Sequence, residues 1–449
     1  MNTESQTEKR IDAMRGYSGW SYLPFLPYNR IDKVNNPHIC SVSPYENGVK
    51  LGIINAEKCK ITITGDGFEE KTVKTVQNRI LNINNLAADT GYSVFVETDK
   101  GKSPVRKFRT GAYPGSVVSY LHPEDEAYIF SGRYLGSPSI VILPDKRLLA
   151  SMDVFAGKEP QKLTQIFESA DGGKTWTIIA ELNPCFWGKL FIHKDALYML
   201  STSSEYGDLL IGKSYDFGRS WTKPTVIMRG SAGSCRNGFH KAPVRIERYN
   251  GRLVTAVEFG SWEEGGFYNA VLSIDEEDDL LNEENWLLSM PYKTDISVHR
   301  EAPEKGVIEG NIICIGGALF NILRAGDGKA LILRVSDSFD KLEYFDTVDF
   351  PCGHSKFELF AFGDTIYAVG NALPGRNVLA LYMSKNINSW ELADKIIDGS
   401  GYDMAKVGFQ YPSVALKNNE LFILSRTAFN GANTFHNSNC ITFHKYSLP

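Results

Sequence analysis

Cysteine is sparse and scattered: seven in 449 residues, at Cys40, Cys59, Cys185, Cys235, Cys314, Cys352 and Cys440, with no C-x-x-C pair and no Cys/His cluster. That spacing excludes a zinc finger or ribbon and a dense disulfide framework, and leaves buried thiols as the expected state. No apolar run approaches the roughly 20 residues that span a bilayer, so no transmembrane segment is expected. A basic cluster with interleaved aromatics is also missing and the net charge is −5, which argues against a nucleic-acid partner. The opening Met1-Asn2-Thr3-Glu4 is polar and lacks the apolar core of a signal peptide, as in an intracellular protein or one whose export signal has been removed. No residue cluster requires a metal or a cofactor, and none is expected.

What is present is aromatic and β-rich. Aromatic residues make up 12% of the chain and hydrophobic residues 43%, enough for a large core and two domains. Two segments, Ser169-Ala170-Asp171-Gly172-Gly173-Lys174-Thr175-Trp176 and Ser214-Tyr215-Asp216-Phe217-Gly218-Arg219-Ser220-Trp221, obey one pattern, S-x-D-x-G-x-[ST]-W, and start 45 residues apart. The Asp caps backbone N–H groups of a tight turn, Gly supplies a positive φ, and Trp folds back as an apolar plug. Worn copies stand at Ser273-Ile274-Asp275, at Ser336-Asp337-Ser338, and from Ser384 to Trp390.

Between these turns a second repeat runs: apolar strand, polar turn, apolar strand. Its copies are 139–143 with 147–150, 190–192 with 196–199, 244–246 with 252–255, 311–314 with 318–320, 359–361 with 365–367, and 414–416 with 420–422. Six hairpins at this spacing predict an all-β, six-bladed β-propeller over residues 113–449, one hairpin per four-stranded blade, with little helix. Residues 1–34 show no periodicity and read as an N-terminal extension. Residues 35–112 alternate as short strands and predict a small β-sandwich. Its end, Leu86 to Val94 followed by Lys107 to Gly111, resembles a fibronectin type III domain, with Tyr92 as the corner tyrosine bonding back to upstream backbone.

The repeated turn is the Asp-box, and with six blades it resembles the sialidase superfamily over residues 130–449. Members carry a Glu and an Arg at the two ends of one hairpin, as Glu309 and Arg324 stand here. They carry another Arg before a late Asp-box, matched by Arg376, a Tyr at the last hairpin, matched by Tyr411, and an acidic residue after the first hairpin, matched by Asp153. The resemblance implies an exo-acting glycoside hydrolase that removes a terminal sialic acid or related sugar acid from a glycan. Because that sugar bears a carboxylate on its anomeric carbon, a neutral Tyr411 serves as nucleophile in place of a carboxylate. Glu309, hydrogen-bonded to it, takes its proton. Arg324 and Arg376 clamp the substrate carboxylate, and Asp153 protonates the leaving oxygen. The chain is then expected to be a monomer that is secreted, periplasmic or at the cell surface, with the cytoplasm as the alternative.

One departure is plain. The superfamily's first clamp arginine precedes the Pro-Ser that opens the first hairpin, and here Gly136 stands in its place. Arg133 lies three residues earlier, an odd offset that points a strand residue to the opposite face. Further candidates open or close other hairpins: His240 and Glu258 on the third, and Trp187 on the second as a sugar-stacking ring. Arg426 reads as a brace at the closure, and His436 and His444 as structural residues. Two other readings stay open: a noncatalytic glycan-binding propeller, and a polysaccharide lyase using His240 and Tyr411 on a uronate.

Overall fold

The computed structural model describes residues 28–65, 80–156, 161–230, 238–262, 266–294, 307–326, 328–372 and 375–448. Cys235 and most of the N-terminal extension lie outside them, and the other six cysteines are free thiols. Among the described residues the architecture is all-β, with two short 3-10 turns at Arg30–Lys33 and Glu283–Asn285.

Six antiparallel sheets follow one another along the chain. Sheet 1 contains Tyr134–Ile142, Leu148–Phe155, Leu163–Ser169 and Thr177–Leu182; sheet 2 contains Phe186–His193, Ala196–Thr202, Leu209–Ser214 and Thr225–Met228. Sheet 3 is built on Arg252–Ser261 and Gly266–Asp275. Its first strand is split into Gly238–His240 and Glu247–Tyr249, which pair with the two ends of Arg252–Ser261. Sheets 4 and 5 begin at Ile308–Ile315 and Glu358–Phe362 and run to Leu342–Asp349 and Glu391–Asp398. Sheet 6 takes Gly408–Lys417, Glu420–Ala428 and Cys440–Ser447 and is completed by Ser116–Tyr120, a strand from before sheet 1. Five of the six hairpins expected from the sequence are the first two strands of their sheets; in the third, expected at 244–246, the strand that pairs with Arg252–Val254 is Glu247–Tyr249 instead.

The core is divided among the seams between consecutive sheets. Leu149, Ile166, Leu190 and Leu197 join sheets 1 and 2; Leu200, Ile211, Val257 and Leu272 join 2 and 3. Val254, Val271, Leu323 and Leu331 join 3 and 4; Ile322, Ile332, Leu359 and Ala368 join 4 and 5; Val369, Leu381, Leu421 and Ile423 join 5 and 6. Leu424 and Ile441 of sheet 6 then pack with Ala150 and Phe167 of sheet 1, so the sequence of seams returns to its start. Burial of these side chains is the main stabilising term.

The repeated turns carry the bonds their residues imply. Asp171 accepts from the Thr175 amide at 2.9 Å and hydroxyl at 2.6 Å, and Ser169 Oγ accepts from the Gly173 amide at 2.8 Å. Asp216 repeats this with Ser220 and Ser214 with Gly218. Trp176 and Trp221 each donate Nε1–H to the carbonyl three residues back, at 3.1 and 2.9 Å. Trp390 does the same to Ile387 at 2.9 Å, with Asn386 in the Asp position.

Before Ser116 the strands His38–Tyr45, Gly48–Ile54 and Ile80–Asn84 form one sheet, and Lys60–Gly65, Gly91–Thr98, Gly101–Lys102 and Arg106–Arg109 another. Ile39, Leu51, Ile61, Val94 and Phe108 pack between them. The Tyr92 hydroxyl accepts from the Ala87 amide at 2.9 Å, the backward bond expected of it.

Candidate active site

In four of the six sheets the innermost strand has a β-bulge near its start, and the bulge holds a non-glycine residue in the left-handed region. These are Ser137 (φ 49°), Trp187 (φ 51°), Glu309 (φ 57°) and Tyr411 (φ 50°), each at a register shift against the second strand. A bulge re-aims the side chain it carries, and strained residues of this kind gather at functional sites. All four side chains line one cavity of about 220 Å³, together with other residues of sheets 1 to 4 and 6 and with Lys356 just ahead of sheet 5.

Arg324 and Arg426 line one wall, and Arg376, outside the lining, contacts Tyr411. The Arg376 guanidinium donates to the Tyr411 hydroxyl at 3.4 Å and to Gln410 at 3.0 Å, and Arg426 lies over the Tyr411 ring at 4.9 Å. Arg324 sits 2.8 Å from Glu309, an ion pair that leaves Glu309 Oε2 without an aligned donor. Burial acts to raise the Tyr411 phenol, but Arg324, with Arg376 and Arg426, outweighs it and holds the phenol below its ordinary value. No direct hydrogen bond joins Tyr411 to Glu309 among the described residues. The expected partnership runs through Arg324, which interacts with both. The cause is the bulge: Ile308 pairs with Arg324 across the strands, which lays the guanidinium over the neighbouring Glu309.

Arg426, from the adjoining sheet 6, lies beside Gly136: a Cβ placed on Gly136 would stand 3.6 Å from Arg426 Nη1 and 3.2 Å from the Phe155 ring. Arg426 donates to the His436 carbonyl and lies 4.3 Å over Phe155, and its buried Nε has no partner. Burial, with Arg376 nearby, brings its guanidinium down to about 10. Arg133 does not take this place; it pairs at 3.8 Å with the exposed Glu126.

The opposite wall is aromatic. The His240 ring lies 4.2 Å from that of Trp187, tilted 54° to it, and 5.5 Å from Phe267, and Tyr206 meets Trp187 edge-on at 5.7 Å. Glu258, opposite His240 in register, accepts the Gly310 amide at 3.0 Å through Oε1 and contacts His240 Nδ1 at 3.0 Å through Oε2. Lys356 also reaches the cavity, held by Glu358 at 3.0 Å.

The proton-donor role expected of Asp153 is corrected by its position. Asp153 is fully buried and does not line the cavity. Its oxygens accept from the Thr164 hydroxyl at 2.5 Å and the Trp187 amide at 2.7 Å, so it fixes the Trp187 bulge. Burial pushes its carboxyl up to about 7. A folded-state value above the ordinary one adds stability that is complete below about pH 4 and is lost as pH rises through about 7. Asp153→Asn should remove that fall, which thermal unfolding of both proteins between pH 4 and 8 will measure.

Sequence reasoning missed Arg426 and His436 as cavity residues, and Glu205 altogether. Glu205 lies on the wall and accepts from Gln161 Nε2. The signal for Arg426 was its place opposite Gln410, beside Tyr411. Burial, then Arg426 and Arg376, push His436 down to about 4, which keeps it neutral near pH 7. Among the described residues no group of three or more His, Cys, Asp or Glu side chains is placed to hold a metal.

No family model matches the chain, and no curated protein matches it in sequence. Solved structures do. Hadza microbial sialidase Hz136 superposes with a TM-score of 0.54 at 12% identity, over 92% of this chain and 94% of that one. The Penicillium chrysogenum α-L-arabinanase, solved with arabinobiose, gives 0.50 at 13% identity over 74% and 97%. The Trypanosoma rangeli sialidase, in complex with the inhibitor DANA, gives 0.50 at 16% over 74% and 58%. At such identities the likeness speaks to the fold, and the chain has a sialidase-like β-propeller fold.

Proposed function

We propose that the chain is an exo-acting glycoside hydrolase that removes a terminal acidic sugar from a glycan. In this reading residues 113–449 are a six-bladed β-propeller whose Asp-boxes close its blade turns. Residues 35–112 are a fibronectin III-like sandwich, and residues 1–34 an extension. The observation that carries the function is the convergence of Arg324, Arg376 and Arg426 on Tyr411 with one carboxylate, Glu309, beside them. Such a site suits a ligand carboxylate next to the reacting carbon, because guanidinium groups bind carboxylates as planar, charge-assisted pairs. The Tyr411 oxygen attacks the anomeric carbon, its proton passes to Glu309, and the arginines stabilise the phenolate as it forms. Both named sialidases and the arabinanase are glycan-acting proteins by their descriptions, which supports the same class of reaction.

The test is a panel of nitrophenyl glycosides of sialic acids, other 2-keto sugar acids, hexuronic acids and α-L-arabinofuranose. Release of nitrophenol from the 2-keto acids alone is expected. Release from the arabinofuranoside alone would replace the acidic sugar by a neutral one. A new ultraviolet absorbance from an unsaturated uronate would favour the lyase, and binding without turnover the noncatalytic propeller.

A further inference from the structure

The hydrolase reading leaves the departing oxygen without a proton donor, since Asp153 is turned away from the cavity. Resting on that reading, we propose that His240, held by Glu258, donates this proton and afterwards receives one from water. The His240 ring lines the cavity while Nδ1 is tied to Glu258 at 3.0 Å. Its Nε2 has no hydrogen bond among the described residues, so that nitrogen is the one left for a ligand.

Glu258 is 1% exposed and both its oxygens are committed, one to His240 and one to the Gly310 amide. A carboxylate fixed in this way sets the ring orientation, keeps the proton of Nδ1 and stabilises imidazolium when it forms. Gly310 follows Glu309 on the same bulge, so one side chain positions the donor and steadies the base of the nucleophile. Trp187, at 4.2 Å, blocks rotation of the ring. Glu205 is the other acid on the wall, and it is engaged by Gln161.

The steps balance. In the first, the Tyr411 oxygen gives its proton to Glu309 and bonds to the anomeric carbon, the glycosidic C–O bond breaks, and the leaving oxygen takes the proton from His240 Nε2. In the second, neutral Nε2 takes a proton from water, whose oxygen attacks the anomeric carbon. The bond to Tyr411 breaks, and the phenolate recovers its proton from Glu309.

The experiment compares wild type, His240→Gln, Glu258→Gln and Glu205→Gln on two glycosides of one sugar acid. One carries a nitrophenol leaving group and the other a sugar alcohol, which needs protonation to depart. His240→Gln should lose about 10²–10⁴-fold on the sugar alcohol, keep most activity on the nitrophenyl glycoside, and lose the basic limb of the pH profile. Glu258→Gln should move that limb to lower pH, because imidazolium loses its counter-charge. The titratable groups around His240 are Glu258 opposite it in register and, lining the same cavity, Glu205 and Tyr206 from sheet 2, Glu309 and Arg324 from sheet 4, Lys356 ahead of sheet 5, and Tyr411, Arg426 and His436 from sheet 6. Only the His240 and Glu258 variants are expected to move the limb. Equal losses on both substrates, or a limb that persists in His240→Gln, overturn the proposal, as does leaving-group dependence in Glu205→Gln instead. Wild type gives a second measure should His240→Gln fail to fold: its basic limb should be deeper with the sugar alcohol, and equal depth is an overturning result. Inactivity of wild type on both glycosides removes the hydrolase reading itself, whereas wild-type activity with the wrong variant pattern removes His240 alone.

Discussion

Tyr411→Phe is expected to lower turnover by about a thousandfold or more, with affinity for an acidic ligand and the melting temperature close to wild type. The size follows from the role, since removal of a nucleophile that acts as one unit with its base has costs of this order or larger. Only an oxygen is deleted. The ring remains under Arg376 and Arg426, 5.4 and 4.9 Å from their guanidinium carbons, so the cavity keeps its shape and its charge. What is lost is the 3.4 Å contact from Arg376, which retains Gln410 and the His354 carbonyl, and the interaction with Arg324, which retains Glu309. Stopped-flow release of nitrophenol adds a direct reading: wild type should show a burst from the covalent intermediate, and the variant none. A variant that turns over within tenfold of wild type would end the nucleophile assignment and leave the arginines as a binding site.

The largest expected loss of stability belongs to Arg324→Ala. It strands Glu309, which is 5% exposed, with no counter-charge at 2.8 Å. Breaking a buried pair from one side costs about 3–5 kcal/mol, because the remaining charge stays buried. Denaturant unfolding should show this as a lower midpoint. The double variant Arg324→Ala/Glu309→Gln should recover much of it, since the charge is gone, yet should bind acidic sugars no better than the single variant. An unchanged midpoint in Arg324→Ala would mean that Glu309 is hydrated or protonated and that the pair is not what holds it.

Much of this could be read along the chain, for identifiable reasons. The hairpins were legible because a half-buried strand alternates and a tight turn needs Asp, Asn or Gly. The Trp176 and Trp221 turns were legible because each residue type satisfies a named backbone group. Tyr92 was legible for the same reason. Side-chain direction at the cavity was not. Parity along a strand assigns faces only while the register holds, and at Ser137, Trp187, Glu309 and Tyr411 it does not. Asp153 was misplaced by this effect. The bulge on the first strand of sheet 2 brings the Trp187 amide onto its carboxylate and turns that carboxylate into a support. Arg426 was missed because its use depends on the emptiness beside Gly136, which adjoins it in space and is some 290 residues distant in sequence.

The strand Ser116–Tyr120 gives the molecule an order in time. Its partners, Cys440–Ser447, lie about 320 residues later. A chain leaving the ribosome can assemble the first five sheets in turn, but Val118 waits for Ile441 and Phe443, which emerge only after all five. Until then both flanks of the unfinished assembly, at Tyr134–Ile142 and at the growing end, present apolar surface and open strand edges that invite wrong pairing. The entropy of closing so long a loop grows only logarithmically, so the delay burdens the rate of folding far more than the stability reached. Tyr411 and Arg426 belong to that last sheet, and the cavity therefore acquires both side chains only when that sheet closes.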